Sequence, residues 1–211
     1  MDKTRKEKEV KYLETRPARF EETKKYPIII MLNGAGSRGD NLEILHDSTI
    51  IDYQKANDNF PFIVFSPLCR ENTWFDVYER LMKWCLEIVD LPYIDKTRVY
   101  LSGASMGGYA AWQILQSLPK VFAAAMICCG GGMYWNAGRI KTPVWAFHGK
   151  KDTTVFWKES ENMIAAVRAH GVEAKETYYE DVGHDCWSLA YRNDEVYDWL
   201  LAHKLESSVE N

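Results

Sequence analysis

The sequence predicts a doubly wound α/β domain, a mostly parallel sheet flanked by helices. Three observations carry this. Apolar runs of strand length recur along the chain, and amphipathic stretches at helical spacing separate them. The runs are near-continuously apolar rather than alternating, the pattern of strands buried on both faces. Strands joined through helices pair in parallel through right-handed crossovers.

The elements follow in order. Residues 27–32 (PIIIML) read as the first strand and 61–65 (PFIVF) as the second. Residues 73–89 form a helix, with Trp74, Val77, Leu81, Trp84, Cys85 and Ile88 at helical spacing. Residues 98–101 (RVYL) are the third strand and 105–118 the next helix. Residues 122–129 (FAAAMICC) are the fourth strand and 143–147 (PVWAF) the fifth. A helix over 158–170 is closed by Gly171, a usual C-terminal cap residue. Residues 174–179 are the sixth strand, and 194–203 the last helix.

With 211 residues the chain suits one domain, which buries roughly 70% of its unfolded surface without disulfide or metal staples. That domain is expected over 24–205, after a basic lead-in (1–23) and before a short tail (206–211). Residues 1–25 hold nine Lys/Arg against six Asp/Glu. The whole chain has a net charge of −4, which argues against nucleic acid as a partner. The longest apolar run, 122–129, falls well short of the about 18 residues of a membrane span. No apolar leader opens the sequence, and the five cysteines include no C-x-x-C, so a cytoplasmic protein with reduced core thiols is expected. No cluster has metal-ligand spacing; neither metal nor cofactor is expected.

Ligands on such sheets bind at the carboxyl ends of the strands. After the third strand the chain reads Gly103-Ala104-Ser105-Met106-Gly107, a G-x-S-x-G between strand and helix. A serine at so sharp a turn needs small neighbours, and the helix behind it lends partial positive charge to a developing oxyanion. After the fifth strand comes Asp152, and after the sixth His184. A serine hydroxyl is a poor nucleophile until an imidazole takes its proton, and the imidazole needs a carboxylate to fix its tautomer. The order Ser105, Asp152, His184 fits, with each residue in a loop after a strand. His148, four residues before Asp152, reads as a hydrogen-bonding loop residue. Asp181 and Asp185 lie too near His184 in sequence to align well with it. The glycine-rich loop after the first strand, Asn33 to Asn41, brings the N–H of Ala35 toward the serine. With the N–H of Met106 it would form an oxyanion hole. A G-x-G-x-x-G is present there (Gly34, Gly36, Gly39), but no strand-end acid or Walker lysine accompanies it, which disfavours nucleotide binding.

These segments resemble the α/β-hydrolase superfamily. Within it, the chain is similar to small lidless esterases: the phospholipase/carboxylesterase, polyhydroxybutyrate-depolymerase-like and "predicted peptidase" groups. The carriers are KKYPIIIMLNGAGSRGDN, SPLCRENTW, RVYLSGASMGGYAAW, FHGKKDTTV, GHDCW and YDWLLAHK. The resemblance implies Ser105, Asp152 and His184 as the catalytic triad. It also marks a departure, because relatives usually have histidine where Asn33 precedes the oxyanion glycine. Residues 130–141 are too few for a lid, so an open pocket is expected, with Trp74, Trp187 and Trp135 as candidate walls. The implied activity is hydrolysis of small carboxylic esters, with short-chain or small aromatic acyl groups, through an acyl-enzyme. Acylated carbohydrate is among the substrates the resemblance admits. A prolyl-oligopeptidase-type peptidase or an acyltransferase would use the same triad, and a non-catalytic binding protein on this scaffold stays open beside them.

Overall fold

The computed structural model describes residues 9–206. Seven strands form one sheet: β1 (Tyr12–Thr15), β2 (Tyr26–Leu32), β3 (Ile63–Pro67), β4 (Ile94–Ala104), β5 (Ala124–Cys128), β6 (Val144–Gly149) and β7 (Ala174–Tyr179). Their spatial order is β1-β3-β2-β4-β5-β6-β7. All neighbours pair in parallel except β1 with β3. The longest strand, β4, therefore runs through the middle of the sheet.

Alternation along β2 shows why both faces are apolar. Ile28, Ile30 and Leu32 enter one core and Ile29 and Met31 the other. The first core is closed by α2 (Tyr78–Val89), α3 (Met106–Ser117) and α4 (Lys158–Ala169), through residues such as Leu81, Ile114 and Met163. The second is closed by α1 (Thr49–Ala56), the one-turn α5 (Trp187–Ala190) and α6 (Asp194–Ala202), through Ile51, Ala190 and Leu200. Burying each such Ile or Leu contributes about 1.5–3 kcal/mol of transfer free energy.

Several expectations change. A seventh strand, β1, lies inside the segment read as a lead-in, so the sheet begins before residue 24. Its sequence, YLET, is only partly buried and carries little apolar signal. Phe20, also in that segment, stacks on Tyr26 with ring centroids 4.9 Å apart. The helix expected from residue 73 opens as a 3-10 turn, Trp74–Val77, capped reciprocally by Thr73 and Asp76, before α2. Helix α1 was not expected from the sequence. Residues 1–8 of the lead-in and 207–211 of the tail lie outside the described residues. Among the described residues no helix is long and apolar enough to cross a membrane.

Candidate active site

Strand β4 ends at Ala104 and α3 starts at Met106, leaving Ser105 alone at the corner. Its φ of 55° and ψ of −119° are strained for a residue with a Cβ, a conformation that costs on the order of 1–3 kcal/mol and persists only where the surroundings enforce it. They do so here: Ser105 N–H donates to the Cys128 carbonyl at 3.0 Å, and its carbonyl accepts from Tyr109 N–H at 3.0 Å. Gly107 lets the start of α3 lie directly on the end of β2, because a Cβ there would overlap the Leu32 carbonyl. The first-turn N–H groups of α3 thus point to the edge where Ser105 stands.

The loops after β6 and β7 complete the arrangement. Gly149 permits their contact, since a Cβ there would overlap the Val182 and Gly183 carbonyls. Lys151 N–H donates to the Val182 carbonyl at 2.9 Å, lacing the loops together. Asp152 Oδ2 lies 2.6 Å from His184 Nδ1, and His184 Nε2 lies 2.9 Å from Ser105 Oγ. A carboxylate only accepts, so Nδ1 carries the proton and Nε2 is left to accept from the serine hydroxyl. Burial works to raise the Asp152 carboxyl. The bonds from His184, Val155 and Thr154 outweigh it and hold the carboxyl below its ordinary value. Two of these reach Oδ1, from Thr154 N–H at 2.8 Å and Val155 N–H at 2.9 Å. The Asp152 side chain is fully buried, whereas that of His184 is 24% exposed and open to a substrate.

The rival groups have other partners. Asp185, just before α5, accepts from Ser188 N–H and Oγ–H. Asp181 pairs with Lys151 at the surface. His148 was expected in a loop but stands in β6, fully buried. Its Nε2–H donates to the Val155 carbonyl at 2.9 Å and lies 3.2 Å from Asp152 Oδ2, while Nδ1 faces Ser160 Oγ at 2.7 Å. Asp152 therefore meets two imidazoles on one oxygen. The four-residue spacing from His148 to Asp152 at a strand end was the available signal for this contact.

Ala35 opens a short 3-10 turn and Met106 opens α3, so neither N–H has an intrahelical acceptor. Ala35 lines the same cavity as Ser105 and His184. Asn33 is buried and orders this loop from both ends. Its Nδ2 donates to the Gly34 carbonyl at 2.7 Å, and its Oδ1 accepts from Cys69 N–H at 3.1 Å.

That cavity has a volume of about 680 Å³ and lies on the α1/α6 side of the sheet. Of the three tryptophans expected to wall it, one does. Trp187 lines it and sets its ring edge-on to His184, with centroids 5.3 Å apart. Trp74 is instead core: it is buried beneath the Asn33 loop and its Nε1–H donates to the Asn33 carbonyl at 3.0 Å. Trp135 is 71% exposed and lines a separate groove with Phe75, Tyr78 and Tyr109, because residues 134–139 turn outward as a 3-10 segment. The sequence reading missed Met31, Ser66 and Tyr191, which also line the cavity.

All five cysteines are free and buried. Among the described residues one group has metal-ligand chemistry, Cys129, Asp152 and His184, with ligand atoms within 4.8 Å of one another. Asp152 and His184 already spend those atoms on each other. Burial, then contact with Cys186, pushes the Cys129 thiol up, away from the thiolate a metal needs.

Comparison with known proteins matches residues 70–199 to the dienelactone hydrolase family, a span that includes Ser105, Asp152 and His184. A bifunctional acetylxylan esterase/xylanase, XynS20E of Neocallimastix patriciarum, is 28% identical over 132 residues, covering 56% of this chain and 20% of its own length. The chain spans only a fifth or less of the curated relatives it matches. Among solved structures, a thermostable esterase superposes with a TM-score of 0.79 at 28% identity, over 92% of this chain and 59% of that one. The acylaminoacyl peptidase of Pyrococcus horikoshii shares the fold, with a TM-score of 0.70 at 13% identity, over 95% of this chain and 40% of that one.

Proposed function

The chain belongs to the dienelactone hydrolase family, within the α/β-hydrolase superfamily, and from that premise we propose that it is a serine carboxylester hydrolase. The observation that carries this reading is the hydrogen-bonded series Ser105–His184–Asp152, with its acceptor nitrogen turned toward the serine.

In this reading Ser105 Oγ attacks the acyl carbon while its proton passes to His184 Nε2. Asp152 keeps Nδ1 protonated and balances the imidazolium that forms. The N–H groups of Ala35 and Met106 hold the oxyanion, each worth about 10²–10³ in rate. The tetrahedral adduct then collapses. Its C–O bond to the alcohol breaks, and His184 returns the proton to the departing alkoxide. Water next attacks the acyl-serine, giving its proton to His184, and a second collapse frees the acid and restores Ser105. Every step uses the chain's own groups. The cavity of about 680 Å³ beside Ser105 supports short-chain or small aromatic acyl groups. The relative named for acetylxylan makes acetylated carbohydrate the natural first class of substrate.

The test is hydrolysis of p-nitrophenyl acetate, butyrate and octanoate by wild type and Ser105→Ala, with fluorophosphonate labelling. Turnover and labelling in wild type alone are expected. Wild type inert toward esters and probe alike would overturn the proposal, whereas labelling without ester turnover would move it to peptide or acyl-transfer substrates.

A further inference from the structure

We infer that His148 is a positioning residue for the triad: from inside β6 it holds the Asp152 carboxylate in the orientation that His184 needs. This rests on the serine-hydrolase reading and adds to the same site a residue that meets no substrate, since His148 is wholly buried and lines no cavity wall beside Ser105.

The strand makes the residue conspicuous. β6 reads VWAFHG, and its other residues are hydrophobic or glycine and equally buried. An imidazole there gives up its hydration, a cost that hydrogen bonds must offset. Both ring nitrogens have partners. Nε2 faces two acceptors, Asp152 Oδ2 at 3.2 Å and the Val155 carbonyl at 2.9 Å, so it carries the proton. Nδ1 lies 2.7 Å from Ser160 Oγ, and that hydroxyl also reaches the Gly130 carbonyl at 3.0 Å. The ring therefore joins the loop after β6 to α4 and to the loop after β5.

The consequence falls on Asp152. A carboxylate offers about four lone-pair sites. Thr154 and Val155 N–H take those on Oδ1, and His184 Nδ1–H and His148 Nε2–H take those on Oδ2. The Oδ1 donors lie in the same loop as Asp152 and move with it, and Thr153, Thr154 and Phe156 of that loop are exposed. His184 follows β7 and is the group being oriented. Of the four donors His148 alone stands in the sheet. The same N–H also holds the Val155 carbonyl, so loop and carboxylate are fixed to the strand together. Without that donor one Oδ2 site is empty in a dry setting, and the carboxylate is free to swing. Misplacing a catalytic group by about 1 Å costs about 10²-fold in rate.

The test compares two amides at one position. The amide nitrogen of glutamine reaches about as far as Nε2, and that of asparagine only as far as Nδ1. His148→Gln therefore keeps the donor to Asp152, and His148→Asn withdraws it. Hydrolysis of p-nitrophenyl acetate is measured with active sites counted by fluorophosphonate, so unfolded protein does not enter kcat. In His148→Asn kcat falls roughly 10–100-fold with KM within about twofold, since no substrate contact is lost. In His148→Gln kcat stays within about fivefold of wild type. A His148→Asn variant as active as wild type, or a His148→Gln variant no better than His148→Asn, overturns the inference. If His148→Asn does not fold, Ser160→Ala takes its place: it frees Nδ1 and lets the ring turn, and kcat falls roughly three- to tenfold at unchanged KM, whereas an unchanged kcat refutes the positioning. If wild type neither hydrolyses esters nor takes up fluorophosphonate, the serine-hydrolase reading fails on its own. The far-downfield NMR signal of the His184 Nδ1 proton, which needs no turnover, then decides the role of His148. A signal kept in His148→Gln and lost in His148→Asn supports the inference, and one kept in both refutes it.

Discussion

Replacing Asp152 by asparagine changes one atom in a buried group, and the geometry dictates what that atom does. Oδ1 accepts two backbone N–H groups, from Thr154 and Val155. Those donors force the amide oxygen of the variant to stay at the Oδ1 position. The new NH₂ must then occupy the Oδ2 position, 2.6 Å from His184 Nδ1. Two donors cannot face each other, so His184 shifts its proton to Nε2 and can no longer accept from Ser105. A base held in the wrong tautomer loses about 10⁴ in kcat, which is about 5 kcal/mol of transition-state stabilisation. His148 Nε2–H keeps the Val155 carbonyl, so the fold persists. The assay is steady-state hydrolysis of p-nitrophenyl acetate beside a thermal melt. A kcat within tenfold of wild type, in a variant melting within a few degrees of it, would refute the tautomer argument.

Three further outcomes follow from the geometry. Gly107→Ala forces α3 away from the Leu32 carbonyl and should cost about 3 kcal/mol or more, read as a lower urea midpoint; an unchanged midpoint would contradict the close approach. Asn33→Ala strands the buried Cys69 N–H, so a loss of about 1–3 kcal/mol is expected, with a roughly 10–100-fold lower kcat as the Ala35 loop loosens; full activity would show that Asn33 does not order it. Acid should destabilise the protein through Asp95, Asp152 and Glu173. Burial opposes the lowering at Asp95 and Asp152, where bonds from Thr97 and from His184 prevail, while the Trp199 N–H is the leading cause at Glu173. Because their folded values are depressed, the stability they add is present above the ordinary carboxylate value of about 4 and is lost as pH falls through the folded values. The Tm should hold from pH 7 to 5 and fall below about 4; a Tm that climbs on acidification would reverse the sign.

What the sequence disclosed depended on how local its cause was. The parallel strands were legible because burial on both faces writes a continuous apolar run, as in IIIML of β2. The YLET strand was not, because an edge strand buries too little to leave a pattern. Helix α1 is only eight residues long and buries just Ile50, Ile51 and Gln54, too few apolar positions to write a helical period. Ser105, Asp152 and His184 could be singled out because each follows a strand, and parallel strands deliver their ends to one edge. Trp74 could not be told from Trp187 in the same way. Each stands beside a loop of the site, and only the turn at Thr73 sends Trp74 inward. The cavity floor was invisible for a similar reason: Met31, Ser66 and Tyr191 come from distant segments, and their meeting depends on which face each side chain takes.

The parallel order of the sheet also sets when the site can exist. Ser105 and His184 are 79 residues apart, and Asp152 and His184 are 32 apart. No hairpin or single helix brings any two of them together. Their contacts are of high sequence separation, and such contacts pay their loop-closure entropy before they return any stability. On refolding, helices form within microseconds, while the contacts of Ser105, His184 and Asp152 must wait until β6 and β7 have zipped onto β4 and β5. If Ser105 reacts as proposed, its labelling is therefore a late marker of the native state, and a chain stalled before β7 pairs with β6 would look helical yet remain unlabelled.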